Sequence, residues 1–378
     1  MIGFLEFLKF QITSLSKLIS CMVIPSNIKF FLKKFPVAYR AAQDLYPYLT
    51  LLNATLKGKR GWKEHVKSTW SRLRKDEVIM GRPMNITIEP TNVCNLLCPI
   101  CETGAGTLER EEGNMTLDEF KVIMNKLGPY TNSLMYYFMG EPFLNKQSYE
   151  MIRYAKDIGI PFITTCTNGD PVNPDKLIKC GLDEVSFQIG GMTQKTHEIY
   201  RVNSNLERVL TALKETIRLK KERNSKIRVL AGFIVMKHNE HEIETFQNRM
   251  AELGVDETTV LDPCVRNIDQ GEKFLPKDKK YWTYDMDAFK NGHLKPKFQP
   301  KNRCDGIYYS LSILVNGDVV PCCRDPKGEM VMGNILKEDL DDIWNGQNYI
   351  NFRKKLHKDQ SQIKICQLCS SYPVSQVH

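Results

Sequence analysis

The stretch Asn85-Ile-Thr-Ile-Glu-Pro-Thr-Asn-Val-Cys94-Asn-Leu-Leu-Cys98-Pro-Ile-Cys101 decides how this chain folds and what it binds. It begins with a short strand-like run and ends in three cysteines with the spacing CxxxCxxC. Three thiolates can hold three irons of a four-iron cluster and leave the fourth without a protein ligand. A structural iron–sulfur site is normally closed by four thiolates, whereas an open metal position is where a substrate or cofactor binds. A zinc-binding loop is the alternative interpretation.

Short apolar runs alternate with helical segments along the middle of the chain. The runs with the composition of buried strands are residues 85–89, 134–138, 162–167, 184–189, 227–235 and 257–261. Helix boundaries lie between them, such as the capping box Thr116-Leu-Asp-Glu119, which predicts a helix through Leu127. Strand–helix alternation of this kind produces a parallel sheet with right-handed crossovers. We therefore predict an α/β fold built on an open, partial (β/α)6 barrel.

Polar side chains lie at the ends of several predicted strands, where ligands of parallel α/β folds gather. The cysteine loop follows the first strand, Glu141 the second and Asn168 the third, while Gln188 lies at the end of the fourth. These positions predict one site at the carboxyl edge of the sheet. Three further residues at strand ends are interpreted as surface or structural residues rather than as an acid or a base: His238, Asp262 and Arg266.

Together these motifs resemble the signature of the radical S-adenosylmethionine (SAM) superfamily, over roughly residues 84–262. In that family the open iron is chelated by the amino and carboxylate groups of SAM. Met139-Gly140-Glu141-Pro142 resembles the Gly-Gly-Glu motif that meets the SAM amino group, with Met139 in place of the first glycine. Thr167-Asn168-Gly169 resembles the polar segment near the SAM ribose. Tyr200-Arg201 resembles the pair whose guanidinium approaches the SAM carboxylate.

The resemblance implies that Cys94, Cys98 and Cys101 bind a four-iron cluster that cleaves SAM to a 5′-deoxyadenosyl radical. It also implies that Gly140, Glu141, Asn168, Gln188 and Arg201 bind SAM. One departure concerns the strand ending in Gln188-Ile-Gly190-Gly191, where relatives often have Ser-Ile-Asp-Gly. Gln188 falls at the serine and can still form a hydrogen bond to SAM, but Gly190 replaces the aspartate, so no role is carried over for that carboxylate.

A second group of cysteines lies near the end of the chain. Residues 309–322 predict a β-hairpin with Asn316-Gly317 at its turn. Cys304 precedes the hairpin, Cys322 ends it, and Cys366-Gln-Leu-Cys369 supplies a further pair. Four thiolates can close a whole cluster, with a zinc site as the alternative and Cys323 as a possible replacement for Cys322. The region resembles the SPASM/twitch extension of radical SAM enzymes, which implies one auxiliary four-iron cluster and two clusters in total.

The net charge of +9 belongs entirely to the first 80 residues, which hold 14 Lys/Arg against 5 Asp/Glu. This segment has apolar residues at helical spacing, interrupted by charges, and no uncharged run long enough to cross a bilayer. A basic amphipathic arm of this kind is typical of peripheral contact with an anionic membrane. Packing of these helices on the catalytic domain or on a partner chain is the alternative interpretation. Because the remaining residues are neutral overall, a nucleic-acid partner is not expected.

The sequence thus predicts four parts: an arm (1–80), a radical SAM barrel (81–265), a linker (266–303) and a SPASM/twitch domain (304–378). Clustered cysteines in a chain of 378 residues favour metal binding in a reducing cytoplasm, with peripheral membrane contact through the arm. The expected reaction is hydrogen abstraction from an unactivated carbon of a lipid, a sugar or aminocyclitol, or a peptide, with a flavodoxin or ferredoxin as reductant. An iron–sulfur electron carrier without SAM chemistry is the alternative.

Overall fold

The computed structural model describes residues 61–299 and 302–369. The strands are β1 (Asn85–Ile88), β2 (Ser133–Met135), β3 (Phe162–Thr167), β4 (Glu184–Ile189), β5 (Arg228–Ile234), β6 (Glu257–Leu261), β7 (Ser310–Ile313), β8 (Asp318–Val320) and β9 (Gly333–Asn334). The helices up to β6 are α1 (Trp62–Arg74), α2 (Leu117–Leu127), α3 (Ser148–Asp157), α4 (Pro174–Lys179), α5 (Gln194–Tyr200), α6 (Leu206–Glu222) and α7 (Ile243–Leu253). After β6 come α8 (Ile268–Phe274), α9 (Met286–Lys290), α10 (Gly306–Tyr309), α11 (Leu340–Trp344) and α12 (Gln347–Asp359).

The predicted partial barrel is confirmed. β1 to β6 are parallel and lie in sequence order, and helices connect successive strands. All six predicted strands are present, but β2 is shorter than predicted and ends at Met135. The backbone N–H of Tyr136 still donates to the carbonyl oxygen of Thr164 (2.8 Å), after which the chain turns toward Gly140. The early end of β2 brings the following Glu141 to the carboxyl edge of the sheet.

Local sequence explains the helix ends. Thr116 and Glu119 form the predicted capping box at the start of α2. Asn173 caps α4 by accepting from the backbone N–H of Lys176. The residue after α7 is Gly254, whose positive φ of 82° ends the helix in the left-handed region that glycine adopts readily.

The C-terminal hairpin does not stand apart from the barrel. β7 pairs in parallel with β1, with Asn85 opposite Ser310, and β8 and β9 continue antiparallel, so the nine strands form one sheet. An open barrel leaves an unpaired edge at its first strand, and β7 satisfies the hydrogen-bonding groups of that edge. Helix α1 packs on the same region, where Thr69 Oγ1 lies 3.0 Å from Tyr309 Oη.

A second, smaller core covers the cysteine loop. Residues 266–299, predicted as a linker, contain α8 and α9. From this segment Phe274, Trp282 and Tyr284 pack in one cluster with Leu96 and Cys98 of the loop. The loop is therefore packed on both sides, by the barrel and by the segment that follows β6.

No helix among the described residues is long and apolar enough to cross a membrane. Of the predicted arm, residues 1–60 lie outside the described part of the chain. Its described portion is mainly helix α1, as predicted for a helical arm.

Candidate SAM and cluster site

The cysteine loop leaves the carboxyl end of β1 and is packed closely from within. Cys98 is buried, and Cys94 and Cys101 are partly buried. Burial raises the pKa of the Cys94 thiol to about 11, and it also raises that of Cys98, although Arg201 acts in the opposite direction. Without a metal these thiols are therefore protonated at neutral pH, and only a bound cation makes thiolates favourable. This donor set fits an iron–sulfur cluster.

Gly140 and Glu141 are held directly against this loop. The backbone N–H of Glu141 donates to the carbonyl oxygen of Val93 (2.8 Å). A Cβ on Gly140 would lie 2.5 Å from the carbonyl oxygen of Thr91 and 2.7 Å from that of Val93, and the φ of Gly140 is +73°. Only glycine allows this approach. The predicted Gly-Glu motif is thus explained by contact between two loops.

The carboxylate of Glu141 is buried and accepts three hydrogen bonds. The donors are Thr167 Oγ1 (2.8 Å), the backbone N–H of Asn168 (2.7 Å) and the backbone N–H of Phe143 (3.3 Å). Burial raises the pKa of Glu141 to about 7, even though these bonds favour the charged form. A cation placed beside this carboxylate would restore its charge.

Asn168 and Gln188 lie on the neighbouring strand ends. Asn168 Nδ2 donates to Asn95 Oδ1 within the cysteine loop (2.9 Å) and lies 3.9 Å from Cys94 Sγ. Gln188 donates to Ser186 Oγ (2.8 Å), and its amide fills the space above Gly232, where a Cβ would approach it to 2.6 Å. Asn168 therefore contacts the cysteine loop directly, whereas Gln188 lines the barrel interior one strand further on.

Arg201 brings a positive charge to the other side of the loop. Its Nη1 lies 3.9 Å from Cys98 Sγ, and its buried Nε has no hydrogen-bond partner among the described residues. Gly190, which replaces the family's aspartate, leaves room for this side chain, since a Cβ there would lie 2.8 Å from Arg201 Cγ. A buried N–H without an acceptor is costly and fits a ligand oxygen.

The C-terminal cysteines come from three segments that influence one another: just before α10 (Cys304), just after β8 (Cys322) and the turn at Cys366 and Cys369. Burial raises the pKa of Cys304 and of Cys366 to about 12, and their neighbouring thiols, including Cys369, add to each shift. Burial also raises the pKa of Cys322, with contributions from Cys323, Cys304 and Cys366. The set has the chemistry of four cluster ligands.

Cys323, directly after Cys322, is more exposed than these four cysteines. It lies beside the same thiols, since it raises the pKa of Cys322, and Cys369 raises the pKa of Cys323. Among residues 61–299 and 302–369, no three His, Cys, Asp or Glu side chains are grouped for a single metal ion.

One functional contact was missed by sequence reasoning. Glu89, at the end of β1, is fully buried and forms a double ion pair with Arg110 (2.7 and 2.8 Å). It also accepts from the backbone N–H groups of Val315 (2.9 Å) and Met139 (3.3 Å). Glu89 thus joins β1, the Glu141 loop and the C-terminal hairpin. Its only sequence signal was a carboxylate at the end of a strand.

Two family models match the chain. The radical SAM superfamily model covers residues 88–250, and the model of the SPASM iron–sulfur cluster-binding domain covers residues 304–370. The chain belongs to the radical SAM superfamily. Membership makes this protein an enzyme with a C-terminal SPASM-type domain, and it implies SAM and iron–sulfur clusters as cofactors.

Several curated proteins are similar to this radical SAM enzyme. The AdoMet-dependent heme synthase of Methanosarcina barkeri is 26% identical over 323 residues, which are 76% of this chain and 88% of the relative. A protein named Probable GTP 3',8-cyclase, from Sulfurisphaera tokodaii, is 25% identical over 184 residues, 47% of this chain and 55% of the relative.

Solved structures share the fold. Streptococcus suis SuiB bound to precursor peptide SuiA has a TM-score of 0.58 at 14% identity, covering 83% of this chain and 75% of that chain. The same protein bound to S-adenosylmethionine has a TM-score of 0.57 at 13% identity and covers 83% of this chain and 76% of that one.

Proposed function

We propose that this radical SAM enzyme binds a four-iron cluster through Cys94, Cys98 and Cys101 and cleaves SAM to start hydrogen abstraction from an unactivated substrate carbon. One observation carries the proposal. Glu141, a buried carboxylate, and Arg201, a guanidinium with an unpartnered Nε, both lie against the same cysteine loop. A ligand with one amino group and one carboxylate, as SAM has, is what a carboxylate and a guanidinium placed in this way recognise.

In this proposal each residue of the site contacts a different part of SAM. Glu141 would accept hydrogen bonds from the SAM amino group, and its own bonds from Thr167 and Asn168 hold the carboxylate in place. Arg201 donates to the SAM carboxylate, while Asn168 and Gln188 contact the nucleoside. Gly140 keeps these groups close to the cysteines. When bound, the cluster supplies the electron that cleaves the sulfonium and generates the 5′-deoxyadenosyl radical.

The C-terminal cysteines Cys304, Cys322, Cys366 and Cys369 hold a second four-iron cluster in this proposal, so the enzyme carries two. With four protein ligands this auxiliary cluster is closed, which suits electron transfer from the substrate. A flavodoxin or ferredoxin supplies electrons to the first cluster. The proposed division of the chain is the one predicted above, and both family-model matches fit within it.

Release of 5′-deoxyadenosine tests the proposal. Cluster-loaded protein, incubated without oxygen with dithionite and SAM, should produce it, and Cys98→Ala should abolish the product. Cys180→Ala is the matched control because Cys180 is also a buried thiol, but it lies at the end of α4, where its Sγ donates to the carbonyl oxygen of Leu177 (3.1 Å). An iron–sulfur electron carrier would release none, and equal release from wild type and Cys98→Ala would contradict the proposal.

Peripheral contact with an anionic membrane is a further part of the proposal, supported by helix α1. Its outer face exposes Val66 (38%), Trp70 (55%) and Leu73 (49%) at helical spacing. Apolar side chains beside basic ones are typical of interfacial helices. The clustered cysteines suit a reducing cytoplasm, and the enzyme would bind the membrane surface from there.

Binding of the full chain to phosphatidylserine-containing liposomes measures this contact. A Trp70→Ser/Leu73→Ser double variant should bind several-fold more weakly than wild type. Ile199→Ser is the control, since Ile199 is exposed to a similar degree (45%) on α5. Unchanged binding of the double variant would show that α1 is not a membrane contact.

A further inference from the structure

Two arginines from distant parts of the chain converge on one exposed thiol. Cys264 lies just beyond the end of β6, at the carboxyl edge of the sheet. Arg266 Nη1 donates to Cys264 Sγ at 3.0 Å, and Arg324 Nη1 donates to the same sulfur at 3.1 Å. Two cationic groups therefore meet at a single position that solvent can reach.

This position lies between the two cysteine sets. Arg266 Nε forms an ion pair with Glu102 (2.7 Å), the residue directly after Cys101. Arg324 is two residues beyond Cys322, and its backbone N–H donates to the Cys322 sulfur at 3.4 Å. A molecule held by both arginines would consequently contact the SAM-binding loop on one side and the C-terminal cysteines on the other.

The present partner of the two arginines does not match their chemistry. A thiol is a weak acceptor, whereas the fork of a guanidinium fits two oxygens of a carboxylate or phosphate. Within the described residues Arg324 forms no ion pair with an Asp or Glu, and Glu102 neutralises only Arg266. Arg228, by contrast, is paired with both Glu184 and Glu257. Arg324 thus has no carboxylate partner among the described residues, and the two arginines share one sulfur.

We propose that Arg266 and Arg324 bind an oxyanion of the substrate, either a carboxylate or a phosphate group, and that Cys264 occupies this position when no substrate is bound. The inference rests on the proposed function and deepens it by naming a chemical feature of the substrate. Binding there would hold the substrate between the site of radical formation and the auxiliary cluster. Neither arginine needs to move far, because both already point at one atom.

Protection of Cys264 from alkylation tests the proposal on the cluster-loaded, full-length protein. Iodoacetamide modification of Cys264 is followed by peptide mass spectrometry with pyrophosphate, with succinate, or with chloride at equal ionic strength. An oxyanion between the arginines covers the sulfur, so the rate should fall. At about ten times the dissociation constant of the probe only about a tenth of the protein is free, and the rate should drop about tenfold.

The two probes distinguish the two kinds of substrate. Protection by pyrophosphate alone supports a phosphate group, protection by succinate alone supports a carboxylate, and protection by both supports an oxyanion site without discrimination. Arg324→Gln should lose the protection. Arg249→Gln should keep it, because Arg249 is a surface residue of α7 whose side chain pairs with Glu252.

Two results would overturn the inference: alkylation rates of the wild-type protein that neither probe changes, or equal protection in Arg324→Gln. The first needs no variant, so it holds even if the variant folds poorly. Release of 5′-deoxyadenosine by the wild-type protein is measured in parallel. If that release occurs without protection of Cys264, the inference fails and the proposed function stands.

Discussion

Replacing Glu141 with Gln separates the two roles of this carboxylate, in folding and in SAM binding. The free carboxyl has an ordinary pKa of 4.5, and burial raises the pKa in the folded protein to about 7. Between these values the folded protein binds more protons than the unfolded chain. Its free energy of unfolding therefore falls as pH rises from about 4.5 to about 7, by about 3 kcal/mol for this group.

SAM reverses this penalty in the proposed site because its amino group would donate hydrogen bonds to the ionised carboxylate. Below pH 7 the carboxyl must first lose its proton, so the apparent affinity for SAM should fall about tenfold per pH unit. Glu141→Gln removes a charge-assisted hydrogen bond worth about 1.5–3 kcal/mol, which corresponds to about 10- to 150-fold weaker binding. Because glutamine does not titrate, the affinity of the variant for SAM should also lack the pH dependence that the Glu141 carboxyl causes in the wild type.

Equilibrium binding of radiolabelled SAM to the cluster-loaded protein, from about pH 5.5 to about pH 8, measures both effects. Glu242→Gln is the matched control. Glu242 is also buried and accepts from the backbone N–H of Met192 (2.8 Å) and from Thr196 Oγ1 (3.0 Å). Equal affinity of wild type and Glu141→Gln, or a wild-type affinity that stays constant below pH 7, would refute the reasoning.

Three further predictions concern the frame of the site. Gly140→Ala should lower the free energy of unfolding more than Gly106→Ala does, as measured by chemical denaturation. Both glycines have a positive φ, which costs alanine about 1–2 kcal/mol, but only at Gly140 is there no space for a Cβ. Equal losses would contradict this prediction. Glu89→Gln should lose about 3–5 kcal/mol in the same assay, since it leaves the largely covered Arg110 without its full ion pair. A loss below about 1 kcal/mol, typical of surface pairs, would contradict this. Cys366→Ala should lose about half of the bound iron in a colorimetric assay, because one of the two proposed clusters loses a ligand. Cys323→Ala should retain its iron. Iron loss in Cys323→Ala but not in Cys366→Ala would show that the auxiliary ligands are wrongly assigned.

Much of this protein was predictable because its decisive signals are local. The spacing of Cys94, Cys98 and Cys101 and the capping box at Thr116 each depend on residues within one turn or loop. Strand–helix alternation then implied a parallel sheet, and a parallel sheet brings all strand ends to one edge. Glu141 and Asn168 could therefore be placed near the cysteine loop without knowledge of any long-range contact.

Contacts between distant segments could not be predicted in this way. The pairing of β7 with β1 joins residues more than two hundred positions apart. The pattern of apolar and polar residues in either strand does not indicate which strand it pairs with. The ion pair of Glu89 with Arg110 and the contacts of Arg266 and Arg324 with Cys264 likewise require separate segments of the chain to pack together. By itself the sequence determined the local elements, their order and the cysteine spacing. The tertiary structure alone decided which strand covers the open edge and which charges meet, because those contacts exist only once separate segments pack together.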